Sequence, residues 1–247
     1  MNLQERITAF TRLGSRIGEV LQGKPASVGE IRLAAHIESE YQYNGWFTPD
    51  NVRFALSYWA ENLNQTALEA WCAAYPFADK PVKDVAVIMA GNIPLVGFHD
   101  FLAILISGNR IITKLSSDDH NLLPAVALML TEAEPRFDDL IRIADGKLEK
   151  MDAIIATGSN NSSRYFEYYF SKYPHIIRKN RHSAAVLTGT ETHEELKALS
   201  HDIFRYFGLG CRSVSKLFVP AGYKFDPFYE AMFHWGESML MNNKYLN

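Results

Sequence analysis

Cysteine is scarce: Cys72 and Cys211 are the two in 247 residues. That is too few for a disulfide framework, and neither lies in a Cys/His cluster with zinc-like spacing. Excess positive charge is also missing. The formal net charge of −3 argues against a nucleic-acid binder, which usually carries a basic stripe. No apolar run approaches the roughly 20 residues that cross a bilayer. The N-terminus, Met1-Asn-Leu-Gln-Glu-Arg6, lacks the apolar core of a secretory signal. With thiols expected to stay reduced, the expected compartment is the cytoplasm. There is no internal repeat, low-complexity tract or long linker. What remains is ordinary for a globular protein, with 47% hydrophobic and 21% charged residues. The length suits one large domain or two smaller ones.

The first eighty residues read as helices. Leu3, Ile7, Phe10, Ile17 and Leu21 recur at helical spacing, so one face is apolar. Gly23-Lys-Pro25 ends that helix. Ser27 and Glu30 form a capping box at the next helix start. Thr48-Pro49 starts another, with threonine as N-cap and proline in the first helical position. Trp46, Trp59 and Trp71 are read as packing residues.

From Asp84 the texture changes. Val85 to Met89 is a continuous apolar run of strand length, suited to a sheet covered on both faces. Pro94 to Ser107 predicts a helix, Arg110 to Lys114 a strand, and Asn121 to Glu134 a helix. Leu140 to Ala144 and Ala153 to Ala156 predict strands, and Ser162 to Lys172 a helix. An amphipathic stretch from Glu194 to Tyr206 and a β-rich run from Val214 to Val219 follow. The alternation predicts an α/β fold with a Rossmann-type parallel sheet, and ligands outside the carboxyl ends of its strands. The expected division is 1–182, with a helical lead-in over about 1–80, and 183–247, the start of a second α/β domain.

Cys211 lies in Phe207-Gly-Leu-Gly-Cys-Arg-Ser213, where glycines 208 and 210 permit a tight turn and close approach to a ligand. A thiol so placed reads as a nucleophile, or equally as a small buried hydrophobe. The first strand runs into Gly91-Asn92-Ile-Pro94. Gly91 and Gly97 are too far apart for the dinucleotide fingerprint. Asn92 is a candidate donor to a developing oxyanion, or an asparagine satisfying its own turn. The second strand ends in Lys114-Leu-Ser116-Ser117. NAD-selective sites usually place a carboxylate there. Lys114 and Ser116 offer a cation and a hydroxyl instead, which favours NADPH, while the nearby Asp118 and Asp119 oppose that preference. Thr157-Gly158-Ser159 precedes a helix and offers either a phosphate contact through its amides or a simple cap. Arg178 to His182 is the one basic cluster, a local anion site or a solvated loop. Tyr165 to Phe170 is aromatic enough to face a fatty chain, or to pack in a core. No metal site is expected.

The order of these motifs resembles the aldehyde dehydrogenase superfamily. More closely, Gly91-Asn-Ile-Pro-Leu-Val-Gly97 and Phe207-Gly-Leu-Gly-Cys-Arg-Ser-Val-Ser-Lys216 resemble the bacterial fatty acyl-CoA reductase family of the LuxC type, from about Val82 onward. That resemblance implies Cys211 as the acyl-accepting nucleophile and Asn92, with the Cys211 amide, as the oxyanion hole. It implies Lys114 and Ser116 on the adenine-ribose side of the cofactor. Thr157, Gly158 and Ser159 then lie near the nicotinamide and pyrophosphate. The implied reaction is NADPH-dependent reduction of an acyl-CoA or acyl-protein thioester to an aldehyde, in an enzyme whose full-length members are expected to form homo-oligomers.

Two departures stand out. Aldehyde-oxidising enzymes carry a Glu-Leu-Gly-Gly-Lys motif whose glutamate activates water. The corresponding stretch here, Ile176 to His182, has no carboxylate, although His182 is an alternative base. Family members also extend beyond the position of Asn247, so a truncated chain is expected. The rival readings are an aldehyde dehydrogenase running in the oxidative direction and a nucleotide-binding module that has lost catalysis.

Overall fold

A computed structural model describes residues 1–77 and 80–246. The chain divides into two compact units, Met1–Asn44 with Thr48–Lys179, and Gly45–Phe47 with Asn180–Asn247.

The first unit opens with four helices, α1 (Leu3–Leu21), α2 (Val28–Tyr43), α3 (Pro49–Asn62) and α4 (Gln65–Ala73). Their starts follow local chemistry. Ser27 accepts from the Glu30 amide while Glu30 returns to the Ser27 amide, and Thr48 caps Asn51 ahead of Pro49. Asn2 and Glu5 make a second capping box. The apolar stripe of α1 is buried at Ile7, Phe10, Leu13 and Ile17. Arg16, on that helix, ion-pairs with Glu30 of α2 and with Glu132, and donates to the Met129 carbonyl at 2.8 Å. Glu30 is 2% exposed, so this network satisfies a carboxylate that would otherwise be costly to bury.

These helices lead into a five-stranded, all-parallel sheet of order β3-β2-β1-β4-β5. Its strands are β1 (Asp84–Ile88), β2 (Arg110–Lys114), β3 (Ile141–Ile143), β4 (Ala153–Thr157) and β5 (His175–Arg178). Helices α5 (Phe98–Ile106), α6 (Leu122–Ala133) and α7 (Asn160–Phe170) lie between strands in sequence. Ala86, Val87, Ile111 and Ile112 are buried, as a sheet with covered faces requires. Met89 donates from its amide to the Lys114 carbonyl at 3.0 Å, extending the β1–β2 ladder past the strand end.

Two helix starts differ from the sequence reading by two residues or more. Helix α5 begins at Phe98 rather than Pro94, because Leu95 takes a left-handed backbone, φ +55°, that no helix continues through. Helix α7 begins two residues early, at Asn160, because Ser159 caps it. Its aromatics also divide. Phe166 and Phe170 share one face at i,i+4, and Phe170 packs on the Ala86–Met151–Ile154 cluster, while Tyr165, Tyr168 and Tyr169 are exposed. Core packing therefore accounts for Phe170, with the Phe166 ring 6.2 Å from it, and not for the tyrosines.

The second unit holds β6 (Ser183–Val186), α8 (His193–Phe204), β7 (Val214–Phe218), α9 (Asp226–Met232), α10 (Gly236–Leu240) and α11 (Asn243–Leu246). Strands β6 and β7 pair in parallel as a two-stranded sheet. The core is small, with Leu187, Leu196, Phe228, Ala231 and Met232 at its centre. Among the described residues no helix is long and apolar enough to cross a membrane.

Candidate functional site

The sheet order 3-2-1-4-5 places the reversal of strand order between β1 and β4, the position where open α/β sheets bind ligands at their carboxyl ends. Each candidate in the first unit follows one of those strand ends. Asn92 lies in the turn after β1, Lys114 is the last residue of β2, Ser116 follows it, and Thr157 closes β4. The first two loops touch. A Cβ added to Gly91 would lie 2.7 Å from the Ser116 Cβ, so only glycine lets the Asn92 turn sit against Ser116. Lys114 is exposed.

The two aspartates that followed Lys114 in sequence part company in space. Asp118 is exposed, whereas Asp119 is 7% exposed and accepts from the Leu95 amide through Oδ2 at 2.8 Å. Burial pushes the Asp119 carboxyl up to about 7, the Leu95 amide pulls it down, and the nearby Glu40 pushes it up again. One of the two carboxyl groups that follow Lys114 is thus turned inward.

Ser159 accepts from the Ser162 amide at 3.1 Å, so its hydroxyl is committed to capping α7. The remaining first-turn amides of α7 are what a phosphate would meet. A Cβ on Gly158 would come within 2.9 Å of the Phe166 ring, which ties this turn to α7. Beside Thr157 in the ladder stands Arg178 of β5, which makes a bidentate pair with Asp100 on α5, at 2.5 and 2.9 Å. Lys179 pairs with Glu167 at 2.8 Å. The basic cluster therefore meets carboxylates at its first two positions, and those two cations are not an open anion site. Arg181 and His182 are exposed.

Cys211 belongs to the second unit and is exposed, which answers the buried-hydrophobe reading; Cys72 is buried on α4, and burial pushes its thiol up. The turn before Cys211 is unusual. Tyr206, Phe207 and Gly208 all take left-handed backbones, with φ of +56°, +57° and +72°. Gly208 thus needs its glycine, but Gly210 keeps a negative φ; its lack of a Cβ matters through Ser213, whose Oγ would lie 3.0 Å away. Left-handed backbone costs about 1–2 kcal/mol for a non-glycine residue. Phe207 packs against two rings, Trp46 at 5.3 Å and Tyr245 at 5.9 Å. Burial pushes the Tyr206 phenol up to about 12. The Ser213 amide donates to the Gly210 carbonyl at 2.9 Å, closing the turn around Cys211.

Ser200 and His234 in the same unit look like a nucleophile–base pair, with Oγ to Nε2 at 3.3 Å. Ser200 is fully buried, its hydroxyl donates to the Lys197 carbonyl at 2.6 Å, and it accepts from the Trp235 indole at 2.8 Å. Its proton is spent, and the group is a packing joint. Sequence reading missed the burial of Asp119 against the Leu95 amide, the Asp100–Arg178 pair and the left-handed pair at 206–207. Each depends on partners distant in sequence or on backbone angles, and none leaves a local signal.

The residues present suit a nicotinamide dinucleotide: a Rossmann strand order, a glycine cradle against Ser116, an exposed cation at the end of β2 and a capped helix start after β4. Solved structures agree on the fold. The chain superposes on HpcC from Thermus thermophilus with a TM-score of 0.69 at 18% identity, covering 97% of this chain and 48% of that one. A NAD-dependent benzaldehyde dehydrogenase from Corynebacterium glutamicum gives 0.68 at 16%, covering 97% and 55%. The aldehyde dehydrogenase KauB from Pseudomonas aeruginosa gives 0.65 at 15%, covering 95% and 51%. The chain thus spans about half the length of each of these neighbours. A search of curated proteins returns no match. The model of the acyl-CoA reductase family LuxC matches residues 77–232, a span of more than half the chain that includes every candidate residue, from Asn92 to Cys211. By that match, the chain belongs to the LuxC acyl-CoA reductase family.

Proposed function

We propose that this chain carries the cofactor site and the nucleophile of an NADPH-dependent reductase that converts acyl thioesters to aldehydes. The observation that carries the reading is an exposed Cys211 just after a strained turn, within the span of the LuxC family match. The Cys211 thiolate attacks the acyl carbonyl, and the Asn92 amide with the Cys211 backbone N–H stabilises the oxyanion. Coenzyme A, or another thiol, leaves as thiolate and takes a proton. The acyl group is then held as a thioester on Cys211. When bound, NADPH supplies the hydride that brings the acyl carbon to the aldehyde level. Breaking of the carbon–sulfur bond then releases the aldehyde and restores the thiolate. Lys114 and Ser116 recognise the 2′-phosphate, and the Thr157–Ser159 turn supports the pyrophosphate.

The absence of a carboxylate from Ile176 to His182 supports reduction over hydrolysis. A positioned general base contributes about 10²–10⁴-fold, so without one the acyl-enzyme should resist water. The test is intact mass after incubation with an acyl-CoA, followed with and without NADPH. A stable adduct on Cys211 that NADPH discharges as aldehyde supports the proposal. Decay at one rate in both conditions, yielding free acid, rejects it in favour of a hydrolytic or oxidative enzyme. Cofactor binding with no adduct at all favours a non-catalytic nucleotide module.

A further inference from the structure

We infer that Asp119 is a positioning residue, whose buried carboxyl fixes the Gly91–Leu95 turn and so sets Asn92 against the Ser116 loop. This rests on the function proposed above for what the turn does, but not for how it is held. Leu95 is 4% exposed and left-handed, at φ +55°, a conformation that costs a non-glycine residue about 1–2 kcal/mol. Such an outlier persists only where its surroundings overdetermine it. Here the Leu95 amide donates to Asp119 Oδ2 at 2.8 Å. Asp119 is in turn anchored to the other loop: its own amide donates to the Ser116 carbonyl at 3.3 Å, and the two residues form an isolated bridge. One residue therefore ties together the loops that carry Asn92 and Ser116.

The carboxyl is a costly choice for this task. Among the described residues Asp119 Oδ1 is buried with no hydrogen-bond partner, and burying such an oxygen is unfavourable. The ionisable groups around it are few. Glu40 approaches from α2, where it lies 3.1 Å from His36 Nδ1 and accepts from Asn121 at 3.0 Å; Asp118 and His120 flank Asp119 in its own segment. The turn from Gly91 to Gly97 contributes no charge.

The experiment compares the wild type with Asp119→Asn, which keeps an acceptor, and Asp119→Leu, which removes it. Hydrogen exchange is read at residues 91–97 and at the β2 amides Ile111 to Thr113. Cys211 acylation is read by mass. In Asp119→Leu, exchange at 91–97 should rise by tenfold or more while β2 keeps its protection. Acylation should slow by about 10²-fold, as an ångström-scale misplacement does, with little change in acyl-CoA affinity. Asp119→Asn should retain most of both. Unchanged protection at Leu95, or loss of protection throughout the sheet, overturns the inference. A wild type that accepts no acyl group while the exchange pattern follows expectation rejects the proposed function and leaves the strut standing. Should Asp119→Leu fail to fold, the Leu95 amide shift decides: it should titrate near pH 7 in the wild type and be flat in Asp119→Asn. No titration, or one that survives in Asp119→Asn, overturns the assignment.

Discussion

The two units hold their candidate residues by different means. In the first, Asn92, Lys114, Ser116 and Thr157 follow the ends of strands in a five-stranded sheet, with helices α1 to α7 in the same unit. In the second, Cys211 precedes a strand of a two-stranded sheet, with a core of five buried residues. There, Val186, Phe233 and Met241 are at least 76% exposed. A two-stranded sheet is marginal by itself. Cys211 is therefore held by a local device, the left-handed turn at 206–208 with Phe207 against Trp46 and Tyr245. Sheet-end residues inherit their precision from the ladder, and Cys211 must obtain its own from a strained turn.

The largest expected effect sets the two cysteines against each other. Exposed Cys211 should react with a thiol reagent under native conditions about 10³-fold or more faster than Cys72, whose labelling must wait for its surroundings to open. Cys211→Ala should abolish acylation and Cys72→Ala should leave it intact, as read by peptide mapping. Comparable native labelling of both would dissolve the contrast between the units.

Next comes the pair that fastens β5 to α5. Arg178→Ala leaves Asp100, whose side chain is 8% exposed, without its partner. Removing one member of a buried pair costs about 3–5 kcal/mol, and the low end is expected because Arg178 is a third exposed. Urea unfolding of the first unit reads this directly. The same geometry directs where a water-activating base could be installed. A glutamate at 178 would meet the buried Asp100, whereas one at 179 would meet Glu167, which is half exposed and screened by solvent. Faster loss of acyl-Cys211 in Lys179→Glu is the expected sign.

Lys114→Ala should weaken NADPH by about 1.5 kcal/mol and NADH much less, the low end for a hydrogen bond to a charged group because Lys114 is exposed. Equal losses for both cofactors would remove Lys114 from phosphate recognition. Stability should also depend on pH through Asp119. Its folded pKa, about 7, lies above the ordinary 3.8. The folded state thus holds the proton more tightly, and this contribution to stability is complete below about pH 4 and lost as pH rises through 7. Asp119→Asn should flatten that part of the profile. The smallest effect compares the units at equal chemistry. Thr48→Ala and Thr192→Ala each remove a threonine N-cap hydroxyl worth about 1 kcal/mol. If the second unit is the weaker, the Thr192 variant should show the larger gain in exchange.

Sequence by itself determined the opening helices, the first four strands of the sheet and the helices between them, but not β5, β6 or the helices after β7. Capping boxes, Thr48-Pro49 and the apolar run at Val85 report on neighbours within four residues, and such signals survive without tertiary context. Strand and helix alternation then implied a parallel sheet, and so a site at its carboxyl edge. Cys211 and Asn92 were legible as candidates because glycines mark the turns that hold them. Tertiary structure alone decided that Asp119 turns inward while Asp118 stays exposed, since only the fold brings the Leu95 amide within reach. It likewise decided that Arg178 serves Asp100 rather than an anion, and that Gly210 is needed for space and not for a positive φ. These outcomes depend on contacts between residues up to 78 apart in the chain, and on backbone angles imposed by packing. Local pattern carries no record of either, because a side chain's partner is chosen by the folded surface it meets.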